Sequence, residues 1–169
     1  MSRALLCVLF RRRVKLVVVQ EDVSEQVLNS LSRADILRSR SQISLLFAKG
    51  KTFLHYPLKA TVLVERVADS TPRGEVTLLG MFMVAKRNHR RAVVRNLLRR
   101  RMKEAYRLSA QELRRAVEGG VVGSGEGVGL RISISWAYVS REKLDYNTIS
   151  DAVTHINQKI VDRAIHFVD

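Results

Sequence analysis

The chain has a single cysteine, Cys7, so it can form neither a disulfide within itself nor a Cys-rich zinc site. That scarcity fits a reducing compartment, and the cytoplasm is the expected location. Long apolar runs are missing too. The longest early one, Ala4-Leu5-Leu6-Cys7-Val8-Leu9-Phe10, is too short to span a bilayer and is followed by Arg11-Arg12-Arg13. A secretory signal needs that order reversed. No amphipathic helix sets large apolar residues opposite Lys/Arg outside the core elements, so no membrane partner is expected. His55, His89, His155 and His166 lie without metal-ligand spacing, and no Ser/His/Asp or Cys/His grouping stands out. The glycine-rich tract lacks the Lys-Ser/Thr of a phosphate loop and precedes a strand rather than a helix. The expectation is therefore no catalytic residue, no metal ligand, no cofactor held by the chain and no small-molecule substrate.

Acidic residues are scarce where the chain is most basic. The 169 residues carry 30 Lys+Arg and 16 Asp+Glu, a net charge of +14. Residues 1–107 hold +15 of net charge and residues 108–169 hold −1. Lys86–Arg107 contains ten Lys/Arg and one acid, Glu104. Such a balance predicts a polyanionic partner, nucleic acid first, met by the first two thirds of the chain.

Residues 1–30 read as an N-terminal extension, an edge strand, a flexible arm or an over-called start, and residues 31–169 as one domain. Ser41–Lys49 places Ile43, Leu46 and Phe47 on one side of a short helix, and Gly50 is a natural left-handed stop. Ala60–Val67 and Val76–Ala85 flank the turn-rich Asp69-Ser70-Thr71-Pro72-Arg73-Gly74, for which an antiparallel hairpin is the simple reading. A long helix spans about Val93–Val117, with Gly119-Gly120 as its terminator. Leu130, Ile132, Ile134 and Trp136 share one face of a strand, and the alternating serines suit either a cleft floor or an exposed sheet. Ile149, Val153, Ile156, Ile160 and Ala164 give a last amphipathic helix across Tyr146–Ile165.

Within the long helix, Arg95, Asn96, Arg99, Arg100, Lys103 and Arg107 project into a sector of about 140°, while Leu98, Met102, Ala105 and Tyr106 cluster elsewhere. Solvated helices commonly intersperse Glu to gain pairs four residues apart; this one has only Glu104 and accepts repulsion instead. Arginine dominates, and its fork can donate two parallel hydrogen bonds to phosphate. The turn Lys86-Arg87-Asn88-His89-Arg90-Arg91 adds cations before the helix. Phe47, Phe53 and Tyr56 are candidate stacking platforms for single-stranded nucleic acid, or else core aromatics.

Three stretches, "RSRSQISLLFAKGK", "FMVAKRNHRRAVVRNLLRRRMKEAYRL" and "ISISWAYVSREKLDYNTISDAVTHINQKI", together resemble the protein component of bacterial ribonuclease P. The Arg-Asn-centred "AVVRNLLRRRMKEAYR" is the most specific piece. The resemblance implies an α+β fold: a two-layer α-β sandwich of order αβββαβα with a left-handed βαβ crossover, in the ribosomal-protein domain-2-like superfamily. It implies a small basic subunit of a ribonucleoprotein endoribonuclease, partnered by ribonuclease P RNA and precursor tRNA. The magnesium and the hydrolytic chemistry would belong to that RNA. By the same resemblance Arg95, Asn96, Arg99, Arg100 and Lys103 belong to the helix that faces RNA, Lys86 and Arg87 fall in the family's basic strand end, and Phe47 sits in a cleft for the 5′ leader. Arg90 and Arg91 of the basic turn and Arg107 of the helical projection are RNA-binding candidates from their charge and placement. Leu97 stands where the family usually has a second arginine, and Ile43 where it often has another phenylalanine. A ribosomal or RNA-chaperone protein is the alternative, and a DNA-binding regulator ranks third for want of helix-turn-helix spacing.

Overall fold

The computed structural model describes residues 31–67, 76–122 and 129–168. The expected extension, residues 1–30, the turn-rich and glycine-rich stretches of the sequence at 68–75 and 123–128, and Asp169 lie outside them. The elements are α1 (Arg40–Lys49), β1 (Lys51–His55), β2 (Leu58–Val67), β3 (Val76–Val84), α2 (Ala92–Val122), β4 (Gly129–Tyr138) and α3 (Tyr146–Val168), an α+β fold in the order αβββαβα. The four strands form one mixed sheet, ordered β1-β2-β4-β3.

The expected hairpin of β2 with β3 is incorrect. β4 lies between them, antiparallel to β2 from Leu58↔Tyr138 to Val67↔Gly129 and parallel to β3 from Val76↔Leu130 to Val84↔Tyr138. The physical reason lies in β4 itself, where Ile132, Ile134, Trp136 and also Ser133 and Ser135 are buried. A strand covered on both faces takes the centre of a sheet, where both of its edges are paired. Nothing in the local turn chemistry at 68–75 carries that information. β1 is a strand that the apolar pattern does not announce. It pairs antiparallel with β2 through Lys51↔Val62 to His55↔Leu58, and most of its side chains stay accessible at the sheet edge. The opposite edge is partly covered, because Gly80 exchanges backbone hydrogen bonds with Asp35 and Leu37.

Strand alternation divides the sheet into two faces. One carries Leu58, Ala60, Val62 and Val64 of β2, Val76 and Leu78 of β3, and Ile132, Ile134 and Trp136 of β4. Against it pack Leu98, Met102, Ala105, Tyr106, Leu113 and Val117 of α2 with Ile149, Val153, Ile156, Ile160 and Ala164 of α3. The helical spacings read from the sequence therefore mark the buried stripes. Gly80 lets Tyr106 approach the sheet closely, since a Cβ on it would sit 3.2 Å from that ring. The other face carries Thr61, Ser133 and Ser135, and α1 ends against it at Gly50.

Two glycines act differently from expectation. Gly50 is extended, with φ −69° and ψ 145°, rather than left-handed. Its N–H donates to the Leu46 carbonyl at 2.8 Å, and an added Cβ would lie 2.2 Å from that oxygen and 2.8 Å from Thr61 Cγ2. The Leu46 carbonyl of the last turn of α1, with the nearby Thr61 methyl of β2, demands glycine there, and not a left-handed dihedral. Gly119 and Gly120 do not end α2, which runs through both to Val122. A Cβ on Gly120 would meet Ile165 Cγ1 at 2.5 Å, so this glycine lets α3 pack close to α2. Packing against α3 supplies what the local helix propensity lacks.

Candidate nucleic-acid interface

β3 ends at Val84, and Lys86, Arg87, Arg90 and Arg91 are exposed on the turn that leads into α2. This turn is tied down from within. Buried His89 donates through Nε2 to the Ser140 carbonyl at 3.1 Å, and Asn88 Nδ2 donates to the Val139 carbonyl at 3.0 Å. Arg95 Nη1 donates to the carbonyls of His89 (3.0 Å) and Arg90 (2.6 Å). Arg95 thus sets the shape of the turn as well as adding charge to it.

The crowded arginines of α2 divide. Arg99 and Arg100 are exposed, and Arg99 Nη1 donates to Asn96 Oδ1 at 3.2 Å, so Asn96 helps to orient it. Arg101 instead turns away and donates to the Leu144 carbonyl. Lys103 is half-buried. Arg107 is paired with Glu104, its Nη2 lying 2.7 Å from Oε1 and its Nε 3.0 Å from Oε2. The hydrogen bond from Arg107 holds the Glu104 carboxyl below the usual range, and the same pairing raises the Arg107 guanidinium. On the far side Leu98, Met102, Ala105 and Tyr106 are buried, so the expected sorting of charge from core holds. The Tyr106 hydroxyl, fully buried, is pushed up by desolvation.

Beside this face lies a cleft of about 980 Å³, with Phe47 from α1, Gly50 just after it, Thr52 from β1, Thr61 from β2, Met83 from β3 and Ser135 and Ala137 from β4 among its lining residues. Phe47 is 52% exposed rather than packed with Leu46, which is fully buried. Its ring therefore belongs to the cleft wall and not to the core. Ile43 is half-buried. The serine face of β4 is a cleft floor and not an exposed sheet: Ser135 is 1% accessible and its Oγ has no hydrogen-bond partner. Thr52 and Thr61 hydroxyls are 3.3 Å apart on the same floor. Four cations, Lys59, Arg87, Arg99 and Arg141, line the cleft with no carboxylate among the described lining residues. Lys59 and Arg141 were not among the sequence candidates. Lys59 lies in a mostly apolar strand that also carries Glu65 and Arg66, away from the basic turn and α2 in sequence, and Arg141 lies on a loop whose position depends on the sheet order.

Among the described residues, no three His, Cys, Asp or Glu side chains gather as ligands for a metal ion. No helix among them is long and apolar enough to cross a membrane.

An α+β sandwich with a cation-lined cleft, an exposed aromatic at its mouth and a row of arginines beside it defines a polyanion-binding protein. The chain belongs to the ribonuclease P protein family, whose description, Ribonuclease P, matches residues 31–128. It is 38% identical over 95 residues to the ribonuclease P protein component of Chlorobaculum tepidum, a match covering 56% of this chain and 60% of that protein. It is 31% identical over 123 residues to the ribonuclease P protein component of Porphyromonas gingivalis, covering 73% of this chain and 80% of that protein. Among solved structures, the RNase P protein from Thermotoga maritima is similar with a TM-score of 0.48 and 16% identity, over 73% of this chain and 96% of the other. The Staphylococcus aureus RNase P protein gives a TM-score of 0.46 and 12% identity, over 76% and 96%.

Proposed function

We propose that this chain binds ribonuclease P RNA through the exposed cations of the turn and of α2, and holds the single-stranded 5′ leader of precursor tRNA in the adjoining cleft. It would thereby assist endonucleolytic removal of the leader during tRNA processing in the cytoplasm. Family membership favours this reading over a ribosomal or RNA-chaperone role. The single observation that carries the leader site is the cleft, with four cations, no described carboxylate and the exposed Phe47 ring. Cations hold phosphates, and an aromatic ring beside them stacks on bases of any sequence.

Magnesium, held by the RNA on this reading, would supply an activated water for the hydrolysis. The described cleft residues do not fit a metal site: their charged side chains are cations, which would repel a divalent ion. On this reading the RNA holds the metal, and this chain's part is to bind and orient. The testing assay combines the chain with bacterial ribonuclease P RNA and precursor tRNA at low magnesium. Faster 5′ cleavage than with RNA alone is the expected result, and no gain overturns the proposal.

A further inference from the structure

We infer that the outer edge of β2 at residues 63–67 is a docking site for an extended acidic segment of a partner protein, which adds to the sheet as a strand in line with β1. β2 runs for ten residues, Leu58–Val67, but β1 pairs only with residues 58–62. The chain before Lys51 does not continue the line of β1, because at Gly50 it meets α1, which lies against a face of the sheet. On its other side β2 is paired along its whole length by β4. Every second residue of the 63–67 stretch therefore turns its N–H and C=O away from β4. Among the described residues no strand receives them. The open edge is about 17 Å long, an ordinary strand length.

A groove of about 370 Å³ lies along this edge. Lys49 of α1 lines it from one face of the sheet and Arg163 and Phe167 of α3 from the other, with Lys51 at the end where β1 begins. Leu63 and Glu65 belong to the β2 edge between them. Lys49, Lys51 and Arg163 are exposed and form no ion pair among the described residues. Glu65 is the one carboxylate among the described lining residues. None of these residues lines the leader cleft.

Backbone and charge together choose the occupant. A strand edge is matched by the alternating N–H and C=O of a peptide, and a sugar-phosphate backbone has no such alternation. Acidic side chains on that peptide meet three unpaired cations against one carboxylate. A second copy of this chain brings three more cations to the same place, and a twofold pairing centred on Glu65 sets two carboxylates opposite each other. Lysines at a sheet edge also serve to block unwanted pairing. Blocking alone does not call for a slot recessed between two helices, with Leu63 and Phe167 ready to cover apolar side chains.

The test uses the full chain and a capped, fluorescent peptide of alternating valine and glutamate, about seven residues long. Anisotropy at about 150 mM salt, where charges beyond about 8 Å are largely screened, reads its binding. Amide hydrogen exchange reads its position. Binding is expected, with slowed exchange at alternate amides of residues 63–67. Lys49→Glu/Lys51→Glu should weaken it at least about tenfold, the scale of charge-assisted contacts reversed, and Arg99→Glu/Arg100→Glu should leave it unchanged. A peptide with proline in place of valine, unable to pair as a strand, should not bind. No binding by the wild type, or a loss confined to Arg99→Glu/Arg100→Glu, overturns the proposal. An oligouridylate that protects the same amides in the peptide's place overturns it in favour of RNA. Self-association of Lys49→Glu/Lys51→Glu, with the wild type indifferent to the peptide, overturns it in favour of lysines that only guard the edge.

Discussion

Replacing Arg99 and Arg100 by alanine removes two exposed cations and leaves the buried stripe of α2 untouched. Each phosphate contact contributes about 0.7 to 0.9 to the slope of log affinity against log salt, through release of condensed counterions. Two lost contacts should make that slope shallower by about 1.4 to 1.8. Between about 50 and about 200 mM salt, the wild type should then lose roughly ten times more affinity than the variant. The control is Arg114→Ala/Arg115→Ala, which removes the same formal charge from exposed positions further along the same helix. Those positions lie about 22 Å along the axis from the first pair, beyond two screening lengths of about 10 Å at moderate salt. Filter binding to ribonuclease P RNA across a salt series reads both slopes. Equal flattening by the two double variants would show that net charge alone matters. No flattening by the first would remove α2 from the interface.

Three further outcomes concern the fold that presents this surface. Gly120→Ala should destabilise the protein, because its Cβ would press on Ile165, whereas alanine in an open helix stabilises by about 1 kcal/mol; a raised urea midpoint would refute the close-approach account. Gly50→Ala should cost about 1–3 kcal/mol, since the new Cβ meets the Leu46 carbonyl. That corresponds to a fall in Tm of about 2–12 °C for a chain of this size, and an unchanged melting curve would count against it. Asp145 accepts hydrogen bonds from the Thr148 hydroxyl and N–H at the start of α3, which hold its carboxyl below the usual range. Its contribution to stability is present above the ordinary carboxylate pKa, about 4, and is lost as pH falls through the lowered folded value. Urea midpoints of Asp145→Ala should therefore fall less on acidification than those of the wild type; equal falls would show that this cap does not matter.

Much of the candidate interface's layout was legible in the sequence, because helical periodicity is a local property. The spacing of Leu98, Met102, Ala105 and Tyr106 marks a buried stripe, and the arginines opposite are left to solvent. What could not be read was the use of each arginine. Arg101 reaches a carbonyl of the β4–α3 loop, Arg95 holds the basic turn, and only Arg99 and Arg100 of the crowded triplet remain exposed. Those partners are remote in sequence, so no local pattern specifies them. Phe47 shows the same limit, since its spacing with Leu46 suits a helix face but only the path of α1 across the sheet decides which ring is covered.

The sequence by itself determined the charge asymmetry, the two amphipathic helices, the alternation of β4 and the family resemblance, all of which are written in composition or short-range spacing. Tertiary structure alone decided that β4 divides β2 from β3, that Gly50 and Gly120 serve close approach, and that Lys59 and Arg141 join Arg87 and Arg99 in one cleft. The physical reason is that strand order is set by which strand can be buried on both faces and paired on both edges. That is a competition among all the strands at once, and no single stretch of chain records its result.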